Sequence, residues 1–178
     1  MLFYLMDVVG MTEEAAQSYF GQLSTILGAA IILVTLPSGW LADRFGRRPL
    51  LAVSGLTAAL GTVALLYARD KTLLTIAGLI IGLSIGIFLS ANWALVTDIV
   101  PREEAARYLG IANIATAGGS AIARFVGGAS IDALNNLFSS SSLGYLIMYG
   151  VAAAAFLLST VLALSIPISR VKRAESKT

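Results

Sequence analysis

The 178-residue sequence contains neither cysteine nor histidine. It therefore has no disulfide, no Cys/His metal site, and no nucleophile–histidine pair of the kind that hydrolases use. Charged residues are also scarce, at 12%, whereas a soluble domain has about a quarter. Hydrophobic residues make up 57% of the chain. This balance is typical of an integral membrane protein.

The formal net charge is only +2, and nearly all basic residues lie in short connectors and a C-terminal tail. A nucleic-acid-binding protein concentrates basic residues on one face or stripe, so no nucleic-acid partner is expected. The composition predicts the lipid bilayer as a partner.

Five apolar runs are each long enough to cross a bilayer as a helix of about 20 residues. They do not alternate in polarity as the strands of a membrane barrel do, so the sequence predicts an all-α transmembrane bundle. The predicted domain covers residues 1–169 and is followed by a basic tail at 170–178. Its spans are predicted at residues 18–41, 49–68, 72–98, 106–132 and 143–168, with a polar loop over 132–142.

Lysine and arginine are distributed unequally between the two sets of connectors. One set, formed by residues 42–49, 98–107 and the tail, contains nine of them, and the other set contains two. Because basic loops stay in the cytoplasm, the 42–49 loop and the C-terminus are predicted to be cytoplasmic. The membrane is predicted to be the plasma (inner) membrane.

The first cytoplasmic connector lies in the stretch GWLADRFGRRPLL, residues 39–51, which contains four charges and two glycines. Gly46 permits a tight reversal that a residue with a Cβ would resist. Asp43 and Arg47 are four residues apart and are expected to pair if the helix persists.

The order of residues in this stretch resembles the signature loop of the major facilitator superfamily. In that family the loop joins the second and third helices of a six-helix half, or the eighth and ninth of the whole, and the resemblance implies that it latches one alternating-access state. The matching residues are Gly39, Leu41, Ala42, Asp43, Arg44, Gly46, Arg47, Arg48 and Leu51.

A second segment, residues 92–128, resembles helices ten and eleven of sugar/cation symporters of the glycoside–pentoside–hexuronide and sucrose-carrier groups. It contains the pattern TD-x-V-P-x-E-x-x-x-R-Y-x-G followed by a helix rich in glycine and alanine. The resemblance makes the five spans helices eight to twelve and residues 1–10 the end of helix seven. It also implies an N-terminal half, in cis or in trans, because substrate sits between two halves.

Arg124 is the one charge well inside an apolar span. A central arginine costs about 2.5 to 3.5 kcal/mol on insertion scales, so such a residue usually faces the protein interior or a pathway. The alternative is snorkelling to the outer interface. Asp7 and Asp132 are candidate partners, although direct pairing with Asp132 along one helix is not expected at about 12 Å.

A polar stripe accompanies Arg124 on the same helix. Asn113, Ser120 and Arg124 recur at helical spacing and Thr116 flanks them, which predicts one wall of a hydrated substrate cavity. The alternative is hydrogen bonding between helices.

In the third span, Asn92 is predicted to contact substrate because an amide both donates and accepts hydrogen bonds to sugar hydroxyls. Trp93 follows it and offers a rigid apolar face, with interfacial anchoring or simple packing as the alternative. Gly78, Gly82 and Gly86 on the same span favour close helix packing.

Asp98 and Arg107 flank the second cytoplasmic connector, with Glu103 and Glu104 between them. These residues and the 44–48 cluster are predicted to form salt bridges on the cytoplasmic face, which bias a two-state equilibrium if they exist in one state. Helix capping by the acidic residues is the alternative.

Together these patterns predict a half or fragment of a secondary active transporter that performs sugar:cation symport by alternating access. No covalent chemistry and no cofactor are implied, so the chain is not predicted to be an enzyme. The coupling ion, H⁺ or Na⁺, is not identifiable from the sequence. The alternatives are a drug or metabolite efflux carrier of the same superfamily and a truncated membrane scaffold that does not transport.

Overall fold

The computed structural model describes residues 1–100, 104–138 and 143–165, without the side chains of residues 98 and 99. Helices α2 to α6 are each long and apolar enough to cross a membrane, which confirms the prediction of an all-α bundle with five spans. Where the bilayer begins and ends on each helix stays a prediction, and the 170–178 tail lies outside the described residues. The described elements are α1 (Leu2–Asp7), α2 (Glu13–Phe45), α3 (Arg47–Tyr67), α4 (Lys71–Ile99), α5 (Ala105–Leu137) and α6 (Leu143–Ser165).

Gly46 is the only residue between α2 and α3, and its backbone has a φ of 94°. A residue with a Cβ rarely adopts this conformation, so the glycine allows the chain to reverse in a single residue, as predicted. We call this end of the bundle, where α2 ends, α3 begins and α4 ends, the motif end. The opposite end, where α4 begins, is called the far end, and there Asp70 caps α4 by accepting a hydrogen bond from the backbone N–H of Leu73.

The bundle is centred on α3 and α4. Helix α4 packs against both α2 and α3, α3 packs against α6, and α5 packs chiefly against α6. Glycines allow the closest of these approaches, because a Cβ on Gly86 of α4 would lie 2.8 Å from the carbonyl oxygen of Ile31 on α2. A Cβ on Gly82 would lie 3.3 Å from the carbonyl oxygen of Leu27 on α2. The predicted packing role of the α4 glycines is therefore confirmed.

Aromatic side chains hold the short helix α1 against the far end. The hydroxyl group of Tyr4 donates to the carbonyl oxygens of Leu65 and Ala68, at the end of α3. The ring of Tyr4 makes edge contacts with Tyr145 and Tyr149 of α6, at centroid distances of 5.5 and 5.6 Å. These contacts connect the first helix of the chain to the third and the sixth.

Helix α5 is longer than predicted. The expected polar loop began at residue 132, whereas α5 continues to Leu137. The reason is visible at Asn135, whose side-chain oxygen accepts a hydrogen bond of 2.7 Å from the backbone N–H of Gly144 in the first turn of α6. The asparagine thus satisfies an N–H group at the start of the next helix, a role that a polar pair in the sequence does not reveal.

Candidate functional site

Asp43 and Arg47 form the predicted pair at the motif end. The Nη2 atom of Arg47 lies 3.7 Å from Oδ1 of Asp43, and the exposed fraction is 24% for the arginine side chain and 72% for the aspartate. Arg47 also donates a hydrogen bond from Nη1 to the carbonyl oxygen of Ala94, near the C-terminal end of α4. A cation near a helix C-terminus is stabilised by the helix dipole, so Arg47 joins α2, α3 and α4 electrostatically.

Arg44 has a different role from Arg47. Its guanidinium carbon lies 5.2 Å from the centre of the Trp40 ring and 5.7 Å from that of Phe45. Both rings are mostly exposed, so the three side chains form an aromatic–cation cluster on the surface of the motif end. This cluster was not among the predictions from the sequence, although the spacing of four between Trp40 and Arg44 on a helix indicates it.

Arg48 is half-buried at the start of α3. Its Nε atom is buried and makes no hydrogen bond within the described part of the chain. A buried donor without an acceptor costs about 1 to 3 kcal/mol, so a hydrogen-bond acceptor is expected for this nitrogen.

The second connector contributes one exposed pair, in which Nη1 of Arg107 lies 3.8 Å from Oε2 of Glu104. The side chain of Asp98 and the whole of Glu103 lie outside the described residues. The predicted salt-bridge network between the two connectors, and its gating role, therefore stay predictions.

The predicted cavity residues of α5 all lie on an exposed helix surface: Asn113, Thr116, Ser120 and Arg124. The Thr116 and Ser120 hydroxyls donate to carbonyl oxygens of α5 itself, so neither hydroxyl makes a hydrogen bond to another helix. No residue of α5, all of which is described, is buried. The stripe therefore faces a space that the described residues do not fill.

Arg124 forms no ion pair with a described residue. Asp7, one of its two candidate partners, instead accepts a hydrogen bond of 2.7 Å from the Tyr145 hydroxyl group. The aspartate thus fastens α1 to α6 rather than neutralising the arginine, so that candidate pairing was wrong. The sequence could not identify Tyr145 rather than Arg124 as the partner of Asp7, because a tyrosine inside an apolar run gives no charge signal.

Asn92 lies in a groove that the sequence analysis did not predict. The groove has a volume of about 560 Å³ and opens between α3, α4 and α6 near the motif end, whereas the α5 stripe lies on a helix that packs chiefly on α6. Trp93, the next residue, is 39% exposed and does not line the groove. The structure thus places the predicted α4 and α5 cavity residues on separate surfaces of this bundle. The groove is lined by Leu51, Phe88, Asn92, Leu95, Ser159, Leu162, Ala163 and Ser165.

Five long apolar helices define a polytopic integral membrane protein. At one end Gly46 reverses the chain, and Arg47 connects α3 to α4. The chain belongs to the Major Facilitator Superfamily, a family of membrane transporters of small-molecule solutes, whose sequence model matches residues 1–178. No solved structure gives a significant match.

The curated relatives include both sugar transporters and a drug-resistance protein. The minor myo-inositol transporter IolF of Bacillus subtilis (strain 168) is 34% identical over 87 residues, which cover 49% of this chain and 20% of the relative. Myo-inositol transporter 2 of Schizosaccharomyces pombe (strain 972 / ATCC 24843) is 30% identical over 126 residues, 71% of this chain and 21% of the relative. The quinolone resistance protein NorB of Staphylococcus aureus (strain JH9) is 26% identical over 128 residues, 70% of this chain and 28% of the relative. In each case the chain spans less than a third of the relative's length.

Proposed function

We propose that this chain is one bundle of a secondary active transporter that moves a sugar or related polyol with a coupling cation by alternating access. The observation that carries the proposal is the polar stripe with Arg124 on α5, a helix without a buried residue. A charged arginine in contact with lipid tails is costly, so the stripe is expected to face water or a second bundle. A hydrated space between two bundles is where secondary transporters bind substrate.

The stripe has the chemistry that a polyol requires. The Asn113 amide provides both donors and an acceptor, and the Arg124 guanidinium provides several donors. The Ser120 and Thr116 hydroxyls, whose hydrogens are bonded within α5, provide acceptors. Myo-inositol, which two of the relatives are named for transporting, is a polyol of this type.

A second bundle is part of the proposal, because the relatives are several times longer than the matched segment. The chain would then correspond to the C-terminal half and would work with an N-terminal half in cis or in trans. The motif end would be cytoplasmic, and the Arg47 tie between α2, α3 and α4 would hold one state of the transport cycle.

The second candidate is efflux of a drug-like molecule, which the similarity to NorB favours. Sugar uptake and drug efflux predict different effects of substitutions in the α5 stripe. A polyol depends on the polar side chains for its hydrogen bonds, whereas a large apolar solute depends mainly on shape and aromatic contacts. A scaffold without transport activity would show no solute movement.

The test is uptake of radiolabelled myo-inositol into proteoliposomes that hold the chain together with the other half of the transporter. We expect Arg124→Ala to lower uptake at least tenfold while leaving membrane insertion intact. Asn136→Ala is the matched control, since Asn136 is an exposed polar residue about 120° around α5 from Arg124, and its uptake should stay within twofold. Full uptake by Arg124→Ala would assign the arginine to structure and remove the main support for the site.

Coupling is tested in the same vesicles by collapsing the H⁺ or the Na⁺ gradient separately with an ionophore. Loss of accumulation with one of the two identifies the coupling ion. Accumulation that survives both, or movement of a quinolone but not of myo-inositol, would overturn the symport proposal.

A further inference from the structure

Helix α5 has two unlike faces, and Arg124 lies at the centre of one of them. Between residues 117 and 128, every other residue within about 60° of Arg124 around the helix is alanine, serine or glycine. Bulky apolar residues that are mostly exposed lie about 80° to 160° away from it: Ile114, Ile122 and Phe125. The bulky face suits lipid tails, so the small face around Arg124 is the one expected to meet a hydrated space.

The surface around Arg124 leaves room for a solute. A Cβ on Gly128, about one turn after Arg124, would meet nothing within 4 Å. Helix α6 approaches α5 at Gly127, where a Cβ would lie 3.7 Å from the terminal methyl group of Met148. The exposed side chain of Arg124 therefore projects from a surface of small residues that α6 borders on one side.

None of the acidic side chains that the structure describes forms an ion pair with Arg124. Asp7 is bonded to Tyr145 instead. Asp132 is about 12 Å further along α5, and Glu104 lies at the start of the helix, about 30 Å away. Because a guanidinium keeps its charge and a lone charge is costly inside a membrane, the small face has a positive charge that requires a counter-charge.

We propose that the solute of the α5 stripe is a sugar acid, a polyhydroxy compound with one carboxylate, and that Arg124 binds this carboxylate. The inference rests on the proposed function and narrows its sugar or polyol to an anionic one. A guanidinium forms two parallel charge-assisted hydrogen bonds with a carboxylate, and one arginine matches one negative charge.

Ser120 complements this contact on the same face. Its oxygen lies on the turn before Arg124, about 6 Å away along the helix axis, which is within the length of a six-carbon solute. The hydroxyl hydrogen of Ser120 is bonded to the carbonyl oxygen of Ala117, so the oxygen is left to accept a hydrogen bond from a solute hydroxyl group. The face thus offers a cation to the carboxylate and an acceptor to the hydroxyl groups.

The test compares solutes of equal carbon-chain length in proteoliposomes that hold the chain together with the other half of the transporter. The solutes are gluconate, its neutral amide gluconamide, and sorbitol. We expect gluconate uptake to exceed that of each neutral solute by about tenfold, which corresponds to about 1.4 kcal/mol.

Variants of Arg124 assign this preference to its charge. Arg124→Gln removes the charge and keeps a polar side chain, so its uptake of gluconate and gluconamide should agree within twofold. Arg124→Lys keeps the charge and should retain part of the preference. Asn136→Ala, outside the small face, should keep the preference of the unmodified chain. If Arg124→Gln moves neither solute, isothermal titration of the purified variant with both gives the same ratio from binding.

Failure of this inference and failure of the proposed function give different results. Equal uptake of gluconate and gluconamide by the unmodified chain, or transport of myo-inositol with exclusion of gluconate, would overturn the anionic solute and leave sugar transport intact. An unchanged preference for gluconate in Arg124→Gln would also overturn it. Absence of uptake of gluconate, of the neutral solutes and of myo-inositol would overturn the proposed function itself, and this inference with it.

Discussion

Arg47 makes more inter-helix contacts at the motif end than a membrane-retention signal requires. Its guanidinium reaches Asp43 at the end of α2 and the Ala94 carbonyl oxygen near the end of α4, while its backbone begins α3. The planar fork of an arginine can bond two acceptors in different directions, which a lysine ammonium does less well at fixed geometry. We therefore expect this residue to contribute to stability as well as to gating.

Arg47→Ala should lower the free energy of unfolding by about 2 kcal/mol, because a hydrogen bond to a charged group contributes about 1.5 to 3 kcal/mol. Arg47→Lys should lose a smaller part of it. The measurement is denaturant unfolding of the purified chain in detergent micelles.

Arg44→Ala is the control, since an exposed cation–π contact contributes only about 0.5 to 1 kcal/mol. Equal losses in Arg44→Ala and Arg47→Ala would contradict the structural role of Arg47.

Tyr145 gives a second residue-scale prediction, at the far end. Tyr145→Phe removes the hydrogen bond to Asp7 and leaves a carboxylate without its donor, so we expect a loss of about 1.5 to 3 kcal/mol in the same unfolding measurement. Tyr149→Phe is matched to it, because among the described residues that hydroxyl group reaches only the sulfur of Met1, at 3.8 Å. Its effect should be below about 0.5 kcal/mol, and a larger loss in Tyr149→Phe than in Tyr145→Phe would refute this assignment.

At the scale of elements, the helices differ in how closely they pack. The α2–α4 and α3–α6 pairs approach through glycine, where a Cβ would collide with a neighbour, whereas most glycines of α5 face open space. Association of helices in lipid depends on van der Waals contact and close backbone approach rather than on a hydrophobic driving force. We infer that the rigid part of the bundle consists of α2, α3, α4 and α6. Helix α5 retains a surface that is open to a further packing contact.

Substitution of one glycine in each class tests this inference. Gly86→Ala forces a Cβ against the backbone of α2 and should destabilise the bundle by about 1 to 3 kcal/mol. Gly119→Ala on α5 meets nothing within 4 Å and improves helix propensity by up to about 1 kcal/mol, so stability should stay the same or rise. Thermal unfolding in micelles measures both, and a neutral Gly86→Ala would show that the α2–α4 contact is looser than described.

At the scale of the whole molecule, orientation in the membrane follows from the unequal distribution of lysine and arginine. The chain has no cysteine, so single cysteines can be introduced without altering any native one. Phe45→Cys at the motif end should be protected from a membrane-impermeant maleimide added to intact cells, whereas Arg69→Cys at the far end should be labelled. Labelling with the opposite pattern would invert the proposed topology.

Much of the fold was predictable because lipid restricts the choices. Backbone groups in a bilayer must be hydrogen-bonded within their own segment, so a long uncharged run has to be a helix. Turn chemistry was equally direct, since the single glycine at residue 46 marks the reversal between α2 and α3. The end of α5 was less predictable, because Asn135 stabilises the next helix through a contact made in three dimensions.

The candidate site was only partly predictable, because spacing along a helix fixes which residues share a face but not what lies opposite. The stripe on α5 followed from its period. The placement of Asn92 in a groove with α3 and α6, and the hydrogen bond of Asp7 to Tyr145, depend on which helices become neighbours.

The sequence by itself determined that the chain is a membrane bundle of five long helices with a glycine reversal, because hydrocarbon solvation and backbone sterics act locally. It also indicated the family, through a run of motif residues in fixed order. Only the tertiary structure decided which arginine ties the helices together and which one has a buried donor nitrogen. These differences arise from contacts between helices distant in sequence, and a local pattern of charges does not specify them.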